Sequence, residues 1–360
     1  MGQKKKALFF PTLNPQKPTL NICILQAKIK RMKLISYSLV ITSLLCISLS
    51  ASAQNGFTNK AEAQNKLNDN GLKDGKWIEY IDTAYGTPED STRPFYKLTV
   101  YKNDVPTGTV REYYKHGAIK MEIPYVDGKK DGVQKEYYEN GQVMSEYPYS
   151  NDEKNGTVKK YYSNGKLKIE WPYTHGKITG MQKSYYESGA IHWKVPYVED
   201  LSEGLATEYY ESGGKKWDEP YLHDKKNGMV KGYYEDGKLK SENNYSNGVK
   251  DGLWKEYSEA GILVYQWSFT NGLKNGTVKE YYPSGKLENE WTYTNDLKNG
   301  DMKGYYESGA LEWVVPYGSD KKNGMQKQYY ENGKMESETP FTMGTAGVTR
   351  HFDENGEEIK

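Results

Sequence analysis

The sequence predicts an all-β protein: an elongated, twisted antiparallel sheet of about ten 24-residue β-hairpin repeats. Three observations carry this. Gly108, Gly132, Gly156, Gly180, Gly204, Gly228, Gly252, Gly276, Gly300 and Gly324 stand at intervals of 24 without a slip, the mark of a repeat architecture. A second glycine follows each of them nine residues on, from Gly117 to Gly333, mostly in Asn-Gly or Ser-Gly pairs. Between the two runs a short β-forming stretch that ends in a tyrosine pair, as at Tyr137-Tyr138 and Tyr329-Tyr330. A helix is excluded, because a glycine arrives every nine to fifteen residues and each costs about 1 kcal/mol there.

Taken in order, residues 1–31 precede a complete export signal and read as upstream sequence from a misassigned start. Residues 32–53 are that signal: Lys33, an apolar stretch from Leu34 to Leu49, then Ala51-Ser52-Ala53 before Gln54, an A-x-A cleavage pattern. Serines in the apolar stretch and the lack of a positively charged stop argue against a membrane span in the mature chain. Leu45 before Cys46 argues against a lipoprotein, which needs a small residue there. Residues 54–75 read as a linker, and residues 76–107 as a degenerate first hairpin with an insertion near "YGTPEDSTRP". The regular array covers 108–346, and 347–360 is a shortened last copy in which Gly347 comes one residue early.

Within each repeat the opening glycine is position 0. The first strand follows it, Asn-Gly or Ser-Gly turns the chain, and the second strand returns. The link to the next copy is expected at segments such as Lys154-Asn155-Gly156, so that the ten opening glycines would be structural turn glycines. In the second strand, positions 11, 13 and 15 hold Leu167, Ile169 and Trp171, while positions 12 and 14 hold Lys168 and Glu170. Alternation therefore predicts one apolar and one charged face, with Trp193 aligned on Trp217 and Trp267 on Trp291. Proline recurs at position 16, from Pro124 to Pro340; it cannot donate to a ladder, so it marks a strand end or bulge.

Composition narrows the function. Mean hydropathy is −0.91, yet the chain has 34 tyrosines. Its apolar material is mostly aromatic, which suits a thin hydrated sheet better than one large core. Residues 1–53 hold eight basic residues and no acid, leaving 41 basic against 48 acidic residues after cleavage. Such a chain lacks the basic face a nucleic-acid partner needs. Cleavage also removes Cys23 and Cys46, and with them disulfide, thiol and cysteine-metal chemistry. Glu122, Glu146, Glu170, Glu242, Glu290 and Glu338 recur at position 14; a catalytic acid is singular, so these read as a solvated face and the protein as no enzyme. His116, His175, His192, His223 and His351 share no ligand spacing, and turns such as "DGKKDG" lack the acids of a calcium loop. No cofactor or metal is expected.

The pattern in "YVDGKKDGVQKEYYENGQVMSE" resembles the bacterial variant of the MORN repeat, as found in YwqK-family antitoxins, over about residues 108–356. The resemblance implies an elongated antiparallel sheet that serves as an interaction platform. Some twenty strands at about 4.8 Å would extend roughly 100 Å if flat. The expected function is an exported protein-binding or scaffold platform in the periplasm, at the cell surface or outside the cell, its partner an unidentified envelope or extracellular protein. The alternatives are a glycan or cell-wall ligand on an aromatic stripe, and an antitoxin or immunity-like role. The candidate binding residues are Trp171, Trp193, Trp217, Trp267, Trp291 and Trp313.

Overall fold

The computed structural model describes residues 56–81 and 95–359. The expected upstream segment, the export signal, both cysteines and most of the insertion lie outside them. From Lys73 on, the described strands form one open antiparallel sheet, with no α-helix among the described residues. One repeat shows the plan. Gly156–Tyr161 runs out, Leu167–Thr174 returns against it, and Lys177–Ile178 leads into Gly180–Tyr185 of the next copy.

Two turns alternate. At one end the Tyr162 carbonyl accepts from the Gly165 N–H at 2.9 Å, and Gly165 adopts a φ of +82°. This is a type I turn closed by a left-handed glycine, so the Ser/Asn-Gly pairs do what the sequence predicts. At the other end the link is not at Lys154-Asn155-Gly156. It is the two-residue turn Asn151-Asp152, with φ values of 50° and 70°, between paired Ser150 and Glu153. Asn and Asp tolerate this left-handed geometry, so many copies need no glycine here and the turn is hard to see in sequence. Asp152 also ties the turn to its neighbour: its N–H donates to the Lys130 carbonyl at 2.9 Å, and its Oδ1 accepts from the Lys130 N–H at 2.7 Å.

The ten opening glycines are therefore not turn residues. Gly132, Gly156 and Gly180 are the first residues of strands, beside a bulge, and pair with Tyr149, Tyr173 and Tyr197. Their φ values are +114°, +119° and +119°. The left-handed φ is kept even where no proline precedes, as at Gly276 and Gly300, and in most copies the proline of the preceding repeat also packs against the glycine. A Cβ on Gly156 would lie 3.0 Å from Pro148 Cγ, and one on Gly180 would lie 3.2 Å from Pro172 Cγ. Beyond the turn, pairing between these copies is confined to two residue pairs, Lys159 with Glu146 and Lys160 with Ser145, and it is equally short where Ser268 or Thr292 stands in place of the proline.

The alternation of the second strand is broken once. Lys160 pairs with Ile169 but Tyr161 pairs with Leu167, which leaves position 12 as a bulge. Positions 13 and 15 stay on one face, whereas position 11 moves to the other, beside the first tyrosine of the pair. The expected single apolar stripe of positions 11, 13 and 15 is thus divided between the two faces.

Tyrosine pairs clamp each repeat to the next. Tyr161 donates its hydroxyl to Glu146 Oε2 at 2.8 Å, and Tyr162 donates to the Tyr185 carbonyl at 2.7 Å. The first bond recurs at Tyr137, Tyr185 and Tyr305, the second at Tyr138, Tyr186, Tyr210, Tyr234, Tyr282, Tyr306 and Tyr330. Ser258 stands in the position of the second tyrosine and leaves one rung out. Tyr162→Phe is expected to cost about 0.5–1.5 kcal/mol, and Ser258→Tyr to gain up to about 1 kcal/mol in urea unfolding. A Ser258→Tyr chain no more stable than its parent would show that the rung adds nothing.

The segment expected as a linker is instead a lid on the first strands. Phe57 is buried with Tyr96, Leu98 and Tyr113, and Ala63, Ile78 and Ile119 pack around them. Its carbonyl accepts from Arg111 Nη1 at 3.4 Å. The Asn65 side chain accepts from the Ile78 N–H at 2.9 Å and donates to the Ile78 carbonyl at 3.1 Å, pairing backbone that an edge strand would leave open.

Candidate binding faces

Cross-strand partners share a face, so the register assigns every side chain. Val158 faces Trp171, Ser184 faces Trp193, Glu208 faces Trp217, Trp254 faces Trp267, Val278 faces Trp291 and Gly304 faces Trp313. All six tryptophans singled out from the sequence therefore lie on one face. Each is half-buried, with small or branched residues such as Val158, Ala206, Val230 and Val278 buried between the rings.

The expected ring pairs do not form. Equivalent positions in successive copies are two strands apart, about 9.6 Å, which is too far for stacking. Trp217 lies over Gly232 and Trp313 over Gly304, where a Cβ would collide with the indole. Trp267 stacks on Trp254 instead, with centroids 5.6 Å apart and planes 12° from parallel. Trp254 escaped the sequence reading because it occupies position 2 of the first strand, where other copies carry valine, glutamine, alanine or methionine. Only the register brings it beside position 15.

Trp267 and Trp291 line an open cleft of about 230 Å³ with Glu256, Tyr265, Lys274, Val278 and Tyr293. Tyr265 donates to Glu280 at 2.6 Å, and this bond, with burial, pushes its phenol up to about 12. Lysines at position 22 cap the aromatics of position 17 in the next copy: Lys154 lies 5.0 Å from the Tyr173 centroid and Lys274 5.3 Å from that of Tyr293. Lys250 sits 4.0 Å over Trp254.

The opposite face carries the position-14 glutamates. Their recurrence has a structural cause: they accept the tyrosine clamp. Burial first, and the glutamate bond second, push Tyr161, Tyr185 and Tyr305 up to about 12. These pKa values are raised above the ordinary 10, so the neutral phenol stabilises the fold. That contribution is complete below pH 10 and is lost as pH rises through about 12. Alkaline titration followed at 295 nm should show tyrosines ionising late and together with loss of the β-sheet circular dichroism signal; ionisation near pH 10 with the sheet intact would rule the clamp out.

The histidines do not converge. His192 lies tilted against Tyr186, ring centroids 4.4 Å apart, with its Nε2 3.4 Å from Glu208, while His116, His175, His223 and His351 are exposed at separate turns and strands. Among the described residues no three metal-ligating side chains gather, and no helix is long and apolar enough to cross a membrane.

The fold and faces together define an open, single-layer array of β-hairpin repeats whose side chains are arranged for contact. The family model described as MORN repeat variant matches residues 106–127, 130–151, 154–175, 226–247, 250–271, 274–295 and 322–342. The chain is a MORN-variant repeat protein. Repeats of this kind indicate a binding or scaffold role. The copies between the matched segments keep the hairpin: Gly180–Tyr185 pairs with Ile191–Val198, Gly204–Tyr209 with Lys215–Leu222, and Gly300–Tyr305 with Leu311–Gly318. No curated protein matches the chain. Among solved structures, the crystal structure of TcdB2-TccC3-Cdc42 is 10% identical, over 71% of this chain and 19% of that one, with a TM-score of 0.13. A Photorhabdus luminescens Tc holotoxin pore is 10% identical, over 78% of this chain and 19% of that one, with a TM-score of 0.14. This chain thus spans about a fifth of the length of either.

Proposed function

We propose that this is an exported protein that works as a protein-binding platform in the cell envelope or outside the cell. The observation that supports the binding role is the tryptophan face: six half-buried indoles lie in register on one side of the sheet, and among the described residues the N-terminal lid packs on the other side. Half-exposed aromatics with lysines over their neighbours offer area, hydrogen bonds and cation–π contacts, the chemistry enriched where proteins bind each other. Export rests on the signal pattern of residues 32–53, and sequencing of the natural protein should find Gln54 at its N-terminus.

Residues 54–360, immobilised and exposed to envelope extract, are expected to retain a protein that a folded Trp171→Ala/Trp193→Ala/Trp217→Ala chain does not. Equal capture by both would remove the tryptophan face from the function. A second reading, glycan binding, is favoured by the cleft between Trp267 and Trp291, whose walls suit a sugar ring and whose Glu256 and Lys274 suit its hydroxyls. Capture of purified cell-wall glycan, lost in Trp291→Ala and displaced by soluble sugar, would select it.

A further inference from the structure

Among the described residues, positions 1 and 5 of the glutamate face are both buried in one copy. At position 5, Tyr113 is 8% exposed, whereas the equivalent Tyr137, Tyr161, Tyr185, Tyr209 and Tyr233 are all half-exposed. At position 1, Thr109 is 7% exposed, whereas Val133, Met181, Leu205, Met229 and Met325 are between 40% and 50% exposed. The cover is the chain's own segment beginning at Gly56. Phe57 packs on Tyr113 and Tyr96, and Gly56 lies so near the Thr109 carbonyl that no Cβ fits between them. Arg111 at position 3 holds the Phe57 carbonyl, and the Lys60 ammonium lies 5.6 Å from the Tyr96 ring.

The same features continue, unoccupied by this segment, along the array. Position 3 is lysine in most later copies, as at Lys135, Lys159 and Lys183, a cation able to hold a backbone carbonyl as Arg111 does. The face opens a cleft of about 500 Å³ beside Val143, Glu146 and Tyr161, lined also by Gly141, Gln142 and Gly165. The exposed methionines and leucines of position 1 suit a variable apolar contact.

We infer that the glutamate face of the later repeats is a groove for a partner protein's irregular segment that presents an aromatic residue after a small one, seated as Gly56-Phe57 is seated on the first repeat. This extends the platform reading to the opposite face and rests on its claim that the protein binds proteins. A second copy of this chain is a poorer occupant, because its own segment is already seated.

The test uses the mature chain, residues 54–360, and a fluorescent synthetic peptide of residues 54–63 carrying a photo-crosslinking phenylalanine at 57. Saturable binding is expected, weakened at least tenfold by Phe57→Ala in the peptide, with cross-links to Val143, Tyr161 or their equivalents. It should persist in the Trp171→Ala/Trp193→Ala/Trp217→Ala chain, which separates it from the tryptophan-face reading. No binding, binding indifferent to the phenylalanine, or cross-links confined to Tyr96 and Tyr113 would each overturn the groove. Self-association of the mature chain that the peptide dissolves would replace the partner by a second copy.

Discussion

Phe57→Ala is expected to remove about 3–5 kcal/mol of stability, the cost of deleting a buried aromatic side chain. Phe57 sits 5% exposed among Tyr96, Leu98 and Tyr113, a cluster in which the sheet is covered by a second layer of chain. Lys76 lies 5.5 Å from its ring, so the truncation also exposes a cation that the ring had partnered. In a linear array each copy touches only its neighbours, so the loss should be local. Hydrogen exchange is the measurement: amides of 95–126 should exchange faster while those of 300–342 keep their protection. Uniform loss along the chain would mean that the array unfolds as one unit, and no loss would mean that the N-terminal lid is not anchored by Phe57.

Gly324→Ala has the second largest expected effect. Gly324 has a φ of +127°, and a Cβ there would meet Pro316 Cγ at 2.8 Å. Strained backbone costs about 1–3 kcal/mol and overpacking about as much again. Gly300 is the control, because its φ is +92°, position 16 of the preceding copy is Thr292, and nothing lies within 4 Å of its Cβ direction. Gly300→Ala should therefore show the backbone cost alone, about 1–3 kcal/mol. In urea unfolding, adding Pro316→Ala to Gly324→Ala should return part of the loss; additive effects of the two substitutions would show that glycine and proline are not coupled.

Much of this architecture was legible in the residues. The 24-residue glycine spacing and the Ser/Asn-Gly turns define hairpins and their number, because turn chemistry is local. The link between copies was misplaced for the same reason. Asn151-Asp152 carries no glycine, while Gly156, which does, is conspicuous but serves a proline eight residues earlier. The tryptophan set was found because it alternates along one strand. Trp254 was not, since its nearness to Trp267 depends on pairing between strands.

The sequence by itself determined the repeat, its hairpins and the aromatic character of one face, since each follows from spacing and from the period of two along a strand. Only the tertiary structure decided which residues meet. The bulge at position 12 moved Leu167 to the far face, the tyrosine clamps gave the repeated glutamates a structural purpose, and Phe57 turned an expected linker into a lid. Each depends on register or on a contact between residues distant in the chain. A one-residue slip in pairing exchanges the faces, and nothing in a strand read alone records where its partner begins.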